Sequence, residues 1–205
     1  MPGVIMRRTN AGRTLYPWIV GLAWALAALA AAPALAAQDG GGAAAEPPSV
    51  WYEFTVGGAS ARLTCRLCQP AWNLGPVVTA AVGGYAGQRL RLGVEVSRWT
   101  YLDPGARETL TGIGLVMHLQ PNPGRGLYLT GGLGWSGYRA GDFSYDAPRL
   151  TLGAGWDVPA FGRWVVGNVV ALDASAFAPL RNGDVTVVPQ AGHGAVRFAV
   201  QMRRR

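Results

Sequence analysis

Apolar and polar residues alternate with a period of two along most of the chain beyond residue 50. Successive side chains of a strand leave on opposite faces, so such runs predict half-buried β-strands. In Trp51 to Val56, the residues Tyr52, Phe54 and Val56 share one face and Glu53 and Thr55 the other. In Gln88 to Trp99, Leu90, Leu92, Val94 and Val96 oppose Arg89, Arg91, Gly93, Glu95 and Ser97. The pattern repeats with Ile113, Leu115, Met117 and Leu119, with Leu127, Leu129, Leu133 and Trp135, with Leu150, Leu152, Ala154 and Trp156, and with Val196, Phe198, Val200 and Met202. Pro76 to Tyr85 and Arg163 to Leu172 complete a set of about eight strands.

The composition of the second face decides between architectures. A soluble sandwich or barrel turns its apolar face to a core and covers the other with long charged side chains. Here the second face is mostly Gly, Ser and Thr with a few charges, as suits the crowded interior of a narrow eight-stranded barrel whose bulky residues look out at lipid. The expected fold is therefore an all-β, antiparallel, up-and-down transmembrane barrel occupying residues 49–202. Trp51, Trp99, Trp135, Trp156 and Trp164 are expected in the aromatic girdles at the two interfaces.

Connection lengths agree. With the first strand rising from the periplasm they run long (Ala59 to Leu74), short (Ala86-Gly87), medium (Tyr101 to Arg107), short (Gln120 to Arg125), long (Tyr138 to Pro148), short (Pro159 to Gly162) and long (Asp173 to Gly192). Short periplasmic turns and longer outer loops are the rule for such barrels.

The N-terminal stretch reads as an export signal. Arg7, Arg8 and Arg13 precede an apolar run from about Leu15 to Ala32, and Ala34-Leu35-Ala36 offers a cleavage site. Residues 1–36 are thus expected to be a signal peptide and 37–48 a Gly-, Ala- and Pro-rich leader, while 203–205 form a basic tail. All 18 basic residues are arginine. Without the three in the signal, 15 arginines face 11 acidic residues, an excess of +4 concentrated in the tail. That is no nucleic-acid-binding surface, which needs basic residues gathered along one element.

Cys65-Arg66-Leu67-Cys68 is the sharpest motif. Haem attachment needs His where Gln69 stands, zinc needs more ligands than the distant His118 and His193 supply, and a redox motif needs a strand-to-helix context. A local disulfide in an oxidising compartment is the preferred reading. No cofactor and no metal site is expected.

The inward charges Glu53, Arg89, Arg91, Glu95, Asp157 and Arg197 are expected to pair into a polar plug, since an isolated buried charge costs several kcal/mol. An ion path or a cluster of catalytic acids is the sharper alternative. A lipid-modifying enzyme would need a His beside Ser and an acid, and only Ser175, His193 and Asp173 or Asp184 could approach one another across the last outer loop. Tyr138, Arg139, Phe143, Tyr145, Phe177 and Arg181 are the residues expected to display binding side chains on the outer loops.

The chain resembles the outer membrane β-barrel proteins related to the small OmpA-like and OmpX-like barrels. The resemblance lies in Cys65-x-x-Cys68, Leu92-Gly93-Val94-Glu95 with Trp99, Pro121 to Gly126, Gly131-Gly132-Leu133-Gly134 leading to Tyr138, and Leu152-Gly153-Ala154-Gly155-Trp156-Asp157. It implies a fold and an outer-membrane location, with membrane lipid and the barrel-insertion machinery as partners and no catalytic residues. One departure is the end, Met202-Arg203-Arg204-Arg205, where such barrels carry a terminal aromatic. Taken together, the sequence predicts a monomeric, non-enzymatic outer-membrane barrel with a filled lumen, acting in envelope structure or in adhesion or binding through its outer loops. A soluble lipocalin-like barrel around a small apolar ligand and a lipid-modifying enzyme are the alternatives.

Overall fold

The computed structural model describes residues 50–66, 68, 71–103 and 106–204. The expected signal peptide and leader lie outside the described residues.

Nine strand segments form one antiparallel sheet: β1 (Val50–Cys65), β2 (Asn73–Tyr85), β3 (Leu90–Asp103), β4 (Ala106–Leu119), β5 (Leu127–Ala140), β6 (Phe143–Pro159), β7 (Trp164–Ser175), β8 (Ala178–Asn182) and β9 (Val185–Arg204). Each pairs with the next up to β7, β7 pairs with β9, and β9 pairs back onto β1, so the sheet closes. β7 and β8 are two parts of one wall strand interrupted at Ala176-Phe177: β8 pairs, like β7, with both β6 and β9. The wall is therefore an eight-stranded barrel, and closure removes the free edges of an open sheet.

Alternation places the bulky residues outside. Leu115, Leu133 and Leu172 are 68%, 68% and 58% exposed, and they belong to a continuous outward belt with Phe54, Val94, Ile113, Leu152 and Val200. On β6 this face runs from Leu150 to Val158, nine residues. Nine to eleven residues is what a tilted strand needs to cross a hydrocarbon core.

The end at which β1 begins and β9 finishes, here the near end, has tight connections at residues 86–89, 120–126 and 160–163. At the opposite, far end the strands run on well past the belt. The stretches Tyr138 to Pro148 and Asp173 to Gly192, expected as long loops, are mostly paired strand. β5 and β6 turn in two residues at Gly141-Asp142, and β8 and β9 turn in two at Gly183-Asp184. Gly141 and Gly183 adopt φ of 57° and 56°, which a residue with a Cβ adopts at a cost. The two hairpins meet through the Phe143–Asn182 and Ser144–Arg181 pairs. The alternation simply continues there with less apolar residues, which is why it reads as loop.

The far-end connection between β1 and β2 carries the Cys65–Cys68 disulfide, with Cα atoms 5.0 Å apart. So small a ring removes little chain entropy, on the order of 1–2 kcal/mol, and the bridge fixes the loop rather than the barrel.

Candidate functional site

The interior is filled in three tiers. At the near end Arg203 lies fully buried between two carboxylates. Its Nε donates to Glu53 Oε2 at 2.7 Å and its Nη1 to Asp157 Oδ2 at 2.5 Å, while Arg91 Nη1 stands 3.7 Å from the same Asp157 oxygen. The Tyr128 ring takes the Arg203 and Arg91 guanidinium carbons at 5.1 and 5.5 Å from its centroid. Its hydroxyl donates to Gln201 Oε1 at 2.5 Å, and Gln201 Nε2 donates to Asp157 Oδ1 at 2.6 Å. His118, edge-on to both Trp51 and Tyr128 with centroids 5.3 Å apart, packs this tier.

The middle tier is a second four-membered cluster. Arg149 lies 3.1 Å from Glu95 and 3.7 Å from Asp173; Arg197 lies 3.6 Å from Glu95 and 2.7 Å from Asp173. Ser97, Thr79 and Thr151 supply hydroxyl partners to Arg149, Arg197 and Asp173. The far tier is apolar and aromatic: Trp99, Leu110, Tyr138, Tyr145, Ala147 and Leu180 form one cluster with other buried residues.

Each ionic tier holds two arginines and two carboxylates. Buried charges of like number and opposite sign, in contact and hydrogen-bonded, recover much of what desolvation costs, whereas any one of them alone would be prohibitive. A cavity of about 20 Å³ between the tiers, lined by Glu53, Thr79, Glu95, His118 and Arg197 among others, is room for about one water.

Small residues make this filling possible. A Cβ on Gly112 would overlap the Arg149 guanidinium, so Gly112→Val should dislodge Arg149 from Glu95 and Asp173. We expect a loss of roughly 2–4 kcal/mol in a denaturant titration of the micelle-embedded protein, from overpacking together with a broken buried ion pair. At Gly131, where an added Cβ would lie in ordinary contact, 3.9 Å from side-chain carbons of Leu152 and Met117, the same experiment with Ala should give a much smaller change.

The sequence-predicted residues fall as follows. Glu53, Arg91, Glu95, Asp157 and Arg197 lie buried in the two ionic tiers. Arg89 does not: the pleat stops at the 86–89 turn, and Arg89 is exposed on the near rim. Arg149, Asp173 and Arg203 complete the tiers and were not anticipated. Arg149 fell between an expected loop ending at Pro148 and a strand read from Leu150, Asp173 at the start of an expected loop, and Arg203 inside the expected tail, yet β9 continues through Arg204. Their parity gave the missed signal, Arg149 being in phase with Thr151, Asp173 with Ala171, and Arg203 with Gln201.

Among the tryptophans, Trp135 is 54% exposed, and Trp156 and Trp164 also face outward, but Trp51 and Trp99 point into the lumen at 0% and 3% exposure. Their indole N–H groups donate to the Gly84 and Ala59 carbonyls at 3.1 and 2.9 Å. Of the surface-loop candidates, Arg139, Phe143, Phe177 and Arg181 are exposed, whereas Tyr138 and Tyr145 are buried inside the far tier and present nothing to solvent.

Ser175, His193 and Asp173 do come close together, on the inner wall rather than across a loop. Ser175 Oγ accepts the His193 backbone N–H at 2.8 Å and is hydrogen-bonded by the Tyr145 hydroxyl. Asp173 is engaged by Arg197 and Thr151. The Ser175 hydroxyl thus serves the backbone at the β7–β8 interruption, where the single Tyr145 O–H is shared between Ser175 Oγ and the Ala176 carbonyl, the latter at 2.8 Å. No serine–imidazole–carboxylate relay forms there. Among the described residues no group of His, Cys, Asp and Glu is placed to hold a metal.

Among solved structures, the chain is similar to Neisserial surface protein A (TM-score 0.50, 15% identity, covering 75% of this chain and 98% of that one). It is similar in the same degree to Ail, the attachment invasion locus protein of Yersinia pestis (TM-score 0.50, 10% identity, covering 76% of this chain and 99% of that one). The fold is that of the small outer-membrane β-barrels. No protein-family profile and no curated protein matches the sequence. At these identities the likeness extends to the fold and to no residue's role.

Proposed function

We propose that the chain is an integral outer-membrane barrel with a sealed interior, exported to the envelope and acting there without catalysis, through the part of its wall that stands outside the bilayer. The observation that carries this reading is the outward apolar belt, with Leu115 and Leu133 each 68% exposed. A continuous exposed band of that size on a soluble protein would drive aggregation. In a bilayer it is the surface that lipid covers, and the backbone meets the membrane requirement that all its polar groups be paired because the sheet closes on itself.

In this placement the near end, with its tight turns and both ends of the wall, is periplasmic and the far end is outside. The far-end hairpins then hold Arg139, Phe143 and Arg181 above the membrane on paired strands, with Phe177 beside them at the β7–β8 interruption, a stiff platform suited to adhesion or to contact with another surface molecule. Neighbours of the same fold are named as a surface protein and an attachment protein, which accords with that use. The polar, ion-paired lumen argues against a soluble carrier of apolar ligands.

The test has two arms. Protein extracted from the envelope in detergent should migrate differently on a denaturing gel before and after boiling, as a folded barrel does, and should precipitate when detergent is removed. A cysteine at Phe177 should react with a membrane-impermeant reagent on intact cells, and one at Arg163 should not. A monomer stable in plain buffer ends the membrane reading; labelling at Arg163 alone reverses the orientation.

A further inference from the structure

The exposed charges are distributed unevenly between the two ends. At the near end every junction between neighbouring wall strands carries one arginine: Arg89 between β2 and β3, Arg125 between β4 and β5, Arg163 between β6 and β7, and Arg204 where β9 meets β1. All four are exposed. Among the described residues this rim holds no acidic side chain, and none of the four arginines is in an ion pair. The acidic residues lie elsewhere: Glu53, Glu95, Asp157 and Asp173 are in the lumen, and Glu108, Asp142, Asp146 and Asp184 are toward the far end. Exposed arginines stand there too, Arg62, Arg66, Arg98, Arg107, Arg139 and Arg181, but they share that end with these acids, and Arg139 lies 3.0 Å from Asp146.

The depth of the four is equally regular. Arg89 directly precedes Leu90 and Arg163 directly precedes Trp164; Arg125 lies two residues before Leu127, and Arg204 two residues after Met202. Each sits within two residues of an outward apolar side chain at the end of its strand. Arg204 is paired across the sheet with Tyr52 on one side and Trp164 on the other, so an aromatic ring flanks it at both neighbours. Aromatic rings mark the bilayer interface, and the phosphate plane lies just beyond it.

We propose that this rim is a ring of binding positions for the phosphate headgroups of anionic phospholipids in the leaflet it faces. The proposal rests on the membrane reading above and names the lipid class its near end selects. Guanidinium suits the task. It is planar, permanently charged and able to donate two parallel hydrogen bonds to one phosphate, and its aliphatic stem can stay against the apolar belt while the head reaches outward. Four sites at the four junctions surround the barrel, so any orientation within the membrane plane presents one to the passing lipid.

The test uses the envelope-purified protein reconstituted in phosphatidylcholine bilayers with trace spin-labelled lipids. The motionally restricted fraction gives the association of labelled phosphatidylglycerol relative to labelled phosphatidylcholine. The native protein should prefer the anionic lipid on the order of threefold averaged over its lipid shell, a gain of about fivefold at each arginine being diluted by shell positions without one. The preference should shrink as salt rises, because exposed charges are screened. Replacing all four with Gln (Arg89→Gln, Arg125→Gln, Arg163→Gln, Arg204→Gln) should bring the ratio close to one. These exposed positions bear no packing load, so the gel shift on boiling should persist. An unchanged ratio in the fourfold variant, or no preference in the native protein, overturns the ring while leaving the barrel in its membrane. Absence of restricted lipid of either kind would instead remove the membrane reading beneath it.

Discussion

Arg203→Met should lower the stability of the folded barrel by about 3–5 kcal/mol, more than any exposed substitution, although the residue stands third from the C-terminus. Arg203 is the shared cation of Glu53 on β1 and Asp157 on β6, and it sits on β9, which closes the barrel against β1. Methionine approximates the volume of the stem but leaves two carboxylates facing each other with only Arg91 nearby. Urea unfolding in detergent micelles, followed by tryptophan fluorescence and by the gel shift on boiling, measures the loss. The additional change Glu53→Gln should restore a good part of it, because it removes the uncompensated charge rather than adding a contact. A loss below about 1 kcal/mol, or no recovery in the double variant, would mean that Arg203 is solvated and the near tier is not the closure.

The second large effect is expected at the middle of the belt. Leu133→Arg should cost about 2–4 kcal/mol in a lipid bilayer, the range for a charge on the lipid face near the midplane. Leu133 faces outward between Leu115 and Leu150 on the neighbouring strands. The same change at a position as exposed to water would be close to neutral. Equilibrium unfolding from phosphatidylcholine vesicles separates the two: a change under about 0.5 kcal/mol would show that water, not lipid, covers this face. Leu102→Arg, on an outward residue near the end of β3 and 69% exposed, is the comparison and should be tolerated.

The strand faces were legible because a closed sheet imposes one rule on every residue: odd and even positions differ in what they meet. Tyr52, Leu92, Leu115 and Val200 announced the outside in this way, and Glu53, Glu95 and Arg197 the inside. Followed strictly, the same parity places Trp51 with Glu53 and Trp99 with Ser97, inside the lumen. The preference of tryptophan for membrane interfaces pointed the other way, and register prevailed, with each indole hydrogen-bonded to a carbonyl. Strand ends were not legible, because past the belt neither face needs to be strongly apolar and a paired strand there resembles a loop. That hid Arg149, Asp173, Tyr138 and Tyr145. Arg89 shows the opposite case, alternation carried one step too far into a turn where the pleat no longer holds. The candidate site was therefore half visible: the acids Glu53, Glu95 and Asp157 were in hand, but two of the cations that neutralise them were not, Arg149 standing at an unassigned loop–strand boundary and Arg203 in a segment read as tail.

The two ionic tiers carry equal numbers of positive and negative groups, stacked along the axis and closed over by an aromatic cap. In the proposed membrane placement, such an interior would offer a hydrated ion neither net charge to attract it nor space to shed its water, so the barrel would add no leak to the bilayer around it. A cell could therefore carry this barrel at high copy number and leave its permeability to nutrients, antibiotics and protons to other proteins.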